Sequence, residues 1–423
     1  MSLPLLLSFL LLFASLSVAT DDNTIKIGIL HSLTGSLGPS ETTLKDVVLA
    51  LIKETNDAGG VLGKTLVPVV KDPGSCWPCF ANEARELLTN DQVKVVFGCW
   101  TSISRKFVLP VFEELNGLLW YPVQYEGEEC SRNIFYTGAA PNQQAIPAVD
   151  YLHGSLNKTK FVLLGTDYVY PRTTNNILDS YLRNALSIPS QDILTIYTPF
   201  GHSDFDTIID EVKEFAGTEG KTAIVSTING DANVYFYRTL AEKQISASEI
   251  PVVAFSVGEG ELDPLPSSVL ALLKDHLAAW NYFQSVNNTL NHEFVKKFQN
   301  FVGDSSRVFN DPMEAHYIGF NMWKQAVEQS GSFEVDVVRQ ALYGQKVRSL
   351  SGYDVRMNTN HHLSKPIMIG KIKGDSQFDI VYQTDPVPGA AWSPYINTPL
   401  PTADWTFPWV CGKCFTPSYN VTV

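Results

Sequence analysis

The sequence predicts an α/β fold in which short parallel strands alternate with helices in two successive blocks. The clearest unit runs from Val93 to Glu126: an apolar run closed by Gly98, a segment with helical period, and a second apolar run ending at Pro122. A strand–helix–strand unit of this kind is almost always a parallel pair with a right-handed crossover. Polar loops follow the strands in both blocks, at the sheet edge where open α/β sheets bind ligands. We therefore expect two lobes with a ligand cleft between them.

The helix of this unit is marked by apolar residues on one face, and we expect Pro110 to kink it. The helix N-terminus brings unpaired N–H donors to the sheet edge. Polar and aromatic residues follow each of the two strands, and they are the first candidates for a binding site. They are Trp100, Thr101 and Ser102 after the first strand, and Tyr121, Gln124, Tyr125 and Glu126 after the second.

Composition limits the classes of function. The chain has 423 residues, 44% of them hydrophobic and 18% charged, which are the proportions of a globular protein large enough for two lobes. Its formal net charge of −13 argues against nucleic acid and anionic membrane surfaces as partners.

The first residues have the features of an export signal. Leu3 to Val18 is apolar, and Ser17, Val18 and Ala19 supply small residues at a cleavage site, so we expect a signal peptide from Met1 to Ala19 and a secreted or extracytoplasmic protein. An uncleaved membrane anchor is the alternative. Three glycosylation sequons begin at Asn157, Asn287 and Asn420.

The first block opens with a strand from Ile25 to Leu30, an amphipathic helix over residues 44–52 and a strand from Thr65 to Lys71. Cys76 and Cys79 then stand just before a helix at about 81–88. This spacing indicates either a structural disulfide or a redox dithiol.

The second block repeats the alternation from Phe161 onward, with strands at about 161–165, 194–197, 223–227 and 252–256. The loops after these strands supply further candidate site residues, which are Tyr168, Tyr170, Asn229, Asp231 and Ser256. Helices return between residues 293 and 342, and antiparallel strands are expected near 353–357, 366–373 and 378–383. From Asp385 the chain has no periodicity, which indicates an irregular tail containing Cys411 and Cys414.

Eight segments together resemble the receptors for urea and short-chain amides among the type I periplasmic binding proteins, most closely the substrate-binding component of urea transporters. The segments are KIGILHSLTGSLG, ETTLKDVVLALI, NDAGGVLGK, VVFGCWTSISRKFVLPVFE, NGLLWYPVQYEG, FYTGAAPNQQAIPAVDYL, GTDYVYPRTTN and DPMEAHYIGFNMWKQAVE. The resemblance extends over nearly the whole mature chain, but not to the cysteines at 76, 79, 411 and 414 or to the tail.

The resemblance implies two Rossmann-like lobes joined by three crossovers, which close on a small ligand without catalysing a reaction. The expected boundaries are residues 24–143 and 283–345 for lobe 1, 144–282 and 346–396 for lobe 2, and 397–423 for the tail. The resemblance also implies that five residues lie in amide-binding motifs: Trp100, Ser102, Tyr121, Tyr168 and Tyr170. No cofactor or metal is expected. The partners considered are a membrane transporter, a receptor, of which the chain would be the ectodomain portion, and a second copy of the chain.

The roles expected of the site residues follow from the chemistry of urea, formamide and acetamide, which are neutral, planar and rich in N–H donors. Thr101 and Ser102 are expected to donate to the ligand carbonyl. Gln124, Glu126 and Asp231 are expected to accept its N–H groups. The walls would be the aromatic rings at residues 100, 121, 125, 168 and 170.

Two enzymatic alternatives remain open from the residues. Cys99 follows a strand and precedes a helix, which would suit the nucleophile of an amide or urea hydrolase. A thiol oxidoreductase would instead use Cys76 and Cys79. The cysteine pairs 76/79 and 411/414 are expected to form disulfides, within or between the pairs, with a four-thiolate zinc site as the alternative.

Overall fold

We describe the protein from a computed structural model, which covers residues 23–396. Lobe 1 is built on five parallel strands in the order β2-β1-β3-β4-β5. These strands are Thr24–Leu30 (β1), Thr65–Lys71 (β2), Val96–Gly98 (β3), Leu119–Tyr121 (β4) and Ile134–Tyr136 (β5). The helices between them are Gly38–Asp57 (α1), Trp77–Thr89 (α2) and Ser102–Glu114 (α3). The loops after β1 and β3 lie where the strand order reverses, which is the binding edge of such sheets.

The local sequence explains these elements. The apolar stripe of α1, which includes Leu44, Val48 and Leu51, is buried against the sheet. Helix α3 begins after Thr101, whose side chain accepts a hydrogen bond from the backbone N–H of Ser104. The helix continues through Pro110 to Glu114.

Lobe 2 is built on a seven-stranded sheet in the order β15-β14-β10-β9-β8-β6-β7. Its first five strands are Lys160–Thr166 (β6), Ile193–Thr198 (β7), Thr222–Thr227 (β8), Val252–Ala254 (β9) and Leu277–Trp280 (β10). Its helices are Ala145–Asp150 (α4), Val169–Asn184 (α5), Asp206–Ala216 (α6), Ala232–Glu242 (α7), Glu259–Leu262 (α8) and Ser267–Leu272 (α9). These five strands run parallel, as the βα alternation predicted.

The chain then returns to lobe 1 with Thr289–Val302 (α10), Asp311–Ser330 (α11) and Val335–Leu342 (α12), and both α10 and α11 contact α1. Six short strands complete the described chain. They are Lys346–Arg348 (β11), Asp354–Met357 (β12), Leu363–Lys365 (β13), Met368–Ile372 (β14), Phe378–Gln383 (β15) and Val387–Pro388 (β16).

The lobe boundary near residue 346 differs from the one expected from the sequence. Strands β11, β12, β13 and β16 form a small antiparallel sheet of their own. This sheet lies beside lobe 1, because Tyr136 of β5 bridges to His362 and the ring of His361 stacks on Phe135 at 4.1 Å. The chain therefore rejoins the sheet of lobe 2 at β14, about twenty residues later than expected.

Three crossovers join the lobes, after β5, after β10 and after β13. The side-chain amide of Asn281, in the second crossover, donates to the carbonyl oxygens of Gln143 and Pro366 in the other two, at 3.1 and 2.8 Å. Hydrogen bonds therefore hold the three crossovers together. Within residues 23–396, no helix is long and apolar enough to cross a bilayer.

The structure also bears on the predicted sulfur chemistry. Cys76 and Cys79 form a disulfide with each other, at the start of α2. Cys130 is disulfide-bonded as well, a role that the sequence analysis did not assign to it. Cys411 and Cys414 lie outside the described residues, as do the signal segment, the tail and the Asn420 sequon.

Candidate ligand-binding site

The candidate site lies where the loops after β3 and β4 of lobe 1 meet loops of lobe 2. The side-chain amide of Gln124, after β4, donates to the hydroxyl of Ser256, after β9, at 2.7 Å. Ile103, in the first turn of α3, packs against a cluster formed by Tyr168, Val169 and Tyr170. The two lobes are therefore closed on each other in this structure.

Gly98 allows the chain to leave the sheet of lobe 1 at a point where a larger residue would not fit. A Cβ atom added at Gly98, the last residue of β3, would lie 2.4 Å from the carbonyl oxygen of Leu30 in β1. Any larger residue would push the two strands apart. Glycine here lets the chain leave the sheet close to β1 and deliver Trp100 and Ser102 to the cleft.

Behind the cleft loops lies a buried cluster of two cations and two carboxylates. The Arg105 guanidinium donates from Nε to Glu129 at 2.7 Å and from Nη2 to Glu126 at 3.1 Å. Lys106 donates to Glu129 at 3.1 Å. The side chains of Arg105, Glu126 and Glu129 are 0% exposed, and that of Lys106 is 5% exposed. The two positive charges therefore match the two negative charges within the cluster.

The pKa values of the cluster agree with this description. Burial alone would raise the pKa of Glu129, but Arg105 and Lys106 overcome that effect and lower the pKa to about 2. Burial likewise disfavours the charged form of Arg105, yet the adjacent Glu129 and Glu126 hold its pKa well above its usual value. Glu129 and Arg105 therefore both remain ionised at neutral pH.

Three aromatic rings enclose Arg105 on the protein side. Its guanidinium carbon lies 4.6 Å from the ring centroids of Tyr121 and Tyr125, and 5.9 Å from that of Tyr136. The Tyr136 hydroxyl donates to Glu129 at 2.7 Å, and the Tyr125 hydroxyl bonds to His362. These contacts fix the position of the guanidinium.

Three side chains of lobe 1 already donate a hydrogen bond to another atom of the protein. The Ser102 hydroxyl donates to Glu126 and accepts from Nη1 of Arg105 at 3.2 Å. The Tyr121 hydroxyl donates to the carbonyl oxygen of Trp100 at 2.6 Å. The amide nitrogen of Gln124 donates to Ser256. Ser102 and Tyr121 can therefore still offer only an oxygen lone pair, whereas Gln124 offers its amide oxygen and its second N–H.

Three buried polar atoms of the expected site residues have no hydrogen-bond partner among the described residues: the indole Nε1 of Trp100, the amide oxygen of Gln124 and the hydroxyl of Tyr170. Burial raises the pKa of Tyr170, and the adjacent side chains of Gln124 and Ser256 act against it by hydrogen bonding to the charged form. Burial also raises the pKa of Tyr168, and electrostatic interaction with Tyr121 and Tyr170 raises it further. Buried polar groups in proteins are normally paired, so unpaired groups converging on one cleft are what a polar ligand would satisfy.

The structure brings together most of the site residues expected from the sequence. Trp100, Ser102, Tyr121, Gln124, Tyr168, Tyr170 and Ser256 meet at the interface of the lobes. The expected role of Ser102 as a donor to a carbonyl does not fit, because its hydrogen is directed at Glu126. Each oxygen of Glu126 already accepts one hydrogen bond, one from Arg105 and the other from Ser102.

The remaining expected residues have other surroundings. The hydroxyl of Thr101 caps α3, and Tyr125 belongs to the aromatic layer around Arg105. The side chain of Asn229 is buried and donates to the carbonyl oxygen of Thr227, whereas Asp231 is exposed at the start of α7. Since Gly230 lies close to Leu37 of lobe 1, this loop is at the edge of the cleft.

Sequence reasoning did not assign a role at the site to Arg105, Glu129, Tyr136 or His362. The spacing of three residues from Ser102 to Arg105 on one helix was the signal for Arg105. No local pattern connects His362 with residues more than two hundred positions earlier.

Cys99 lacks the environment of a nucleophile. Burial raises the pKa of its thiol, and the negative charge of nearby Glu41 raises it further. The thiolate form is therefore strongly disfavoured at neutral pH.

Comparisons with known proteins bear on the family and the fold. Residues 25–398 match the family model described as a periplasmic binding protein domain. The chain is 24% identical over 401 residues to Leu/Ile/Val-binding protein homolog 8 of Brucella abortus, covering 89% of this chain and 96% of that protein.

Solved structures show the same fold. A solute-binding protein of an ABC transporter from Rhodopseudomonas palustris HaA2, in complex with p-hydroxybenzoic acid, superposes with a TM-score of 0.75 at 18% identity, over 87% of this chain and 98% of that one. A leucine-binding protein from Thermotoga maritima superposes with a TM-score of 0.70 at 16% identity, over 86% and 99% of the two chains.

Proposed function

The chain belongs to the periplasmic binding protein family, and on that premise we propose that it is an extracytoplasmic receptor that closes on urea or a short-chain amide. The family supplies the two-lobed α/β fold and the binding of small solutes. Urea or a short-chain amide is proposed as the ligand because of the charges of the residues at the cleft and the directions of their hydrogen bonds.

The observation that carries the proposal is the matched charge of the Arg105 cluster. Of the two solved structures named above, one contains p-hydroxybenzoic acid and the other is of a leucine-binding protein. Both p-hydroxybenzoic acid and leucine carry a carboxylate. A buried carboxylate needs a cation or several N–H donors to offset its loss of water. Here Arg105 and Lys106 are paired with Glu126 and Glu129, so the charges beside the cleft favour a neutral ligand.

The hydrogen-bonding groups match an amide in kind. Ser102, Tyr121 and Gln124 offer acceptor oxygens for N–H groups. The indole N–H of Trp100 and the hydroxyl of Tyr170 are unpaired donors for a carbonyl oxygen. Urea, formamide and acetamide each combine one carbonyl with at least one NH₂ group, and their flat shape suits walls made of aromatic rings.

The size of such a ligand limits the affinity. About four heavy atoms at roughly 1.5 kcal/mol each give about 6 kcal/mol, which corresponds to a dissociation constant on the order of tens of micromolar. Because closing the lobes costs or releases free energy, the measured value also depends on how far the unliganded protein is already closed.

Calorimetry on the purified protein tests the proposal. Urea, formamide and acetamide form the test set, with leucine and p-hydroxybenzoate as the comparison set. We expect measurable binding for at least one member of the test set and none for the comparison set. A protein that binds leucine or the benzoate and ignores all three amides contradicts the proposal.

The same purified protein separates the enzymatic alternatives. The raised pKa of the Cys99 thiol argues against a hydrolase with Cys99 as its nucleophile. Release of ammonia from urea or acetamide, abolished by Cys99→Ser, would support that alternative instead. Reduction of a disulfide substrate, abolished by Cys76→Ser, would support an oxidoreductase.

The proposed context is delivery of the solute to a membrane transporter component outside the cytoplasm, after removal of a signal peptide at Ala19. N-terminal sequencing of the exported protein, with the mature chain expected to begin near Thr20, tests the processing step. In a second proposed context, a receptor recognises the closed form of the two-lobed protein.

A further inference from the structure

We propose that Glu126 is a positioning residue that acts through Ser102: it holds the Ser102 hydroxyl as an acceptor, so the site selects a ligand with an N–H group at that position over an oxyanion. This inference rests on the proposed binding of an amide, and it identifies what distinguishes an amide from a carboxylate of the same shape.

The first step is the direction of the Ser102 hydroxyl. A hydroxyl has one hydrogen and two lone pairs. Arg105 can only donate, so its Nη1 must give a hydrogen to the Ser102 oxygen, at 3.2 Å. The Glu126 oxygen can only accept as a carboxylate, so it takes the hydrogen of Ser102. One lone pair of Ser102 is left, and a ligand can meet it only with a donor.

The second step is the rigidity of Glu126. Its other oxygen accepts from Arg105, and Arg105 is in turn held by both oxygens of Glu129, at 2.7 and 3.4 Å. Lys106 and Tyr136 hold Glu129 from the far side. Turning Glu126 away would leave buried charges unpaired, which is strongly unfavourable. Glu126 therefore stays in position as the acceptor of the Ser102 hydrogen.

The third step is the consequence for the ligand. Acetamide and acetate have nearly the same shape, but acetamide presents an NH₂ group where acetate presents a charged oxygen. Against Ser102 the amide makes a hydrogen bond. Acetate places a lone pair against a lone pair there, close to the negative charge of Glu126.

The test compares two variants that change charge equally. Glu126→Gln and Glu129→Gln each remove one negative charge from the cluster, but only Glu126 contacts Ser102. In Glu126→Gln the side-chain oxygen stays on Arg105 and the NH₂ group faces Ser102, because Arg105 cannot accept. The Ser102 hydrogen is then released toward the cleft, and Ser102 becomes a donor.

Calorimetry with acetamide and acetate gives the readout as a ratio of affinities. We expect Glu126→Gln to lower the ratio of acetamide to acetate affinity by about tenfold or more, the scale of one buried hydrogen bond gained or lost. Glu129→Gln should change this ratio much less, because any loosening of Arg105 weakens the binding of both ligands alike. Ser102→Ala should also lower the ratio, and in the Ser102→Ala background Glu126→Gln should lower it no more than Glu129→Gln does, because only the loss of charge remains.

The possible outcomes distinguish failure of the proposed function from failure of the inference about Glu126. A wild-type protein that binds no amide overturns the proposed function, and this inference with it. If the wild type binds an amide and both Gln variants change the ratio of acetamide to acetate affinity equally, only the inference is overturned. Net charge would then account for the selectivity. If Glu126→Gln does not fold, Ser102→Ala decides: an unchanged ratio in that variant overturns the inference.

Discussion

Tyr170 shows at the scale of one residue how a binding group differs from a core group. Its hydroxyl is buried without a hydrogen-bond partner among the described residues, and Tyr237 in α7 shares that property. Tyr170 lies beside Gln124 and Ser256 at the cleft, whereas only burial acts on the pKa of Tyr237. A buried hydroxyl without a partner destabilises a protein unless a ligand supplies the partner.

Replacing each tyrosine by phenylalanine separates these two situations. Tyr170→Phe should weaken urea or acetamide binding by about fivefold or more, because one buried hydrogen bond to the ligand is lost. Tyr237→Phe should leave the affinity unchanged. Neither variant should lower the melting temperature of the unliganded protein. Calorimetry and thermal unfolding measure both quantities, and equal losses of affinity in the two variants would contradict the assignment of Tyr170.

The sequence predicted which residue types meet at the cleft, but not which of them donate. Trp100 and Ser102 could be placed because they follow β3, and Tyr121 because it ends β4, both strands ending at the binding edge. The direction of the Ser102 hydroxyl depends on Glu126 and Arg105, which reach it from a later loop and from the next turn of its own helix. Hydrogen-bond direction is a property of the assembled network, so no single segment of sequence shows it.

At the scale of elements, the long helices were predictable, whereas the three-residue strands were predicted only in part: β3 and β4 were, β5 and β13 were not. Helices α1 and α11 have apolar stripes over 20 residues each. Strands β5 and β13 have three residues each, too few to show a period of two. The small sheet that contains β13 was therefore missed, and with it the position at which the chain returns to lobe 2.

The segment after β16, residues 389–395, contacts both lobes. In lobe 1, Glu128 accepts from the backbone N–H of Ser393 at 2.7 Å, and its own N–H donates to the carbonyl oxygen of Ala391. In lobe 2, the Ser180 hydroxyl donates to the carbonyl oxygen of Tyr395 at 2.7 Å. The segment itself carries no charged side chain, so Glu128 is the titratable group in this contact.

The charge of Glu128 should make stability depend on pH. Burial, with the negative charge of Glu126, raises the pKa of Glu128 from 4.5 to about 7, against the opposing effects of the Ser393 N–H and Lys106. The folded protein then binds this proton more tightly than the unfolded chain. The contribution of Glu128 to stability therefore falls as the pH rises from about 4.5 to 7 and stays low above that.

Glu128→Gln removes this dependence, because glutamine has the same shape and cannot ionise. Relative to wild type, the variant should gain stability between pH 5 and pH 8, by about 3 kcal/mol at most. Urea would be a ligand, so guanidinium denaturation at each pH is the measurement. The same substitution at Glu334, whose side chain is 73% exposed, is the control. A gain that does not grow with pH, or that Glu334→Gln reproduces, would contradict the assignment.

At the scale of the whole molecule, the closed state depends on contacts between residues far apart in sequence. Ser256 is 132 positions from Gln124, and Ile103 meets the Tyr168–Tyr170 cluster of the other lobe. Two βα blocks predicted two lobes with facing loops, since that follows from strand order. The closed position of the lobes follows from side-chain packing across the cleft, which the block pattern does not contain.

Truncating Ile103 tests how much this packing stabilises the closed state. Opening the cleft would expose the apolar surface between Ile103, Tyr168 and Phe200, and Ile103→Ala removes part of what closure buries. We expect the dissociation rate of urea or acetamide to rise about fivefold or more, with a smaller change in the association rate, because the bound ligand leaves through the open state. Stopped-flow fluorescence measures both rates, and small-angle scattering should show a less compact unliganded protein. Leu272→Ala, which truncates a side chain that is 55% exposed in α9, is the matched control. An unchanged dissociation rate in Ile103→Ala would show that contacts to the ligand, rather than contacts between the lobes, hold the cleft shut.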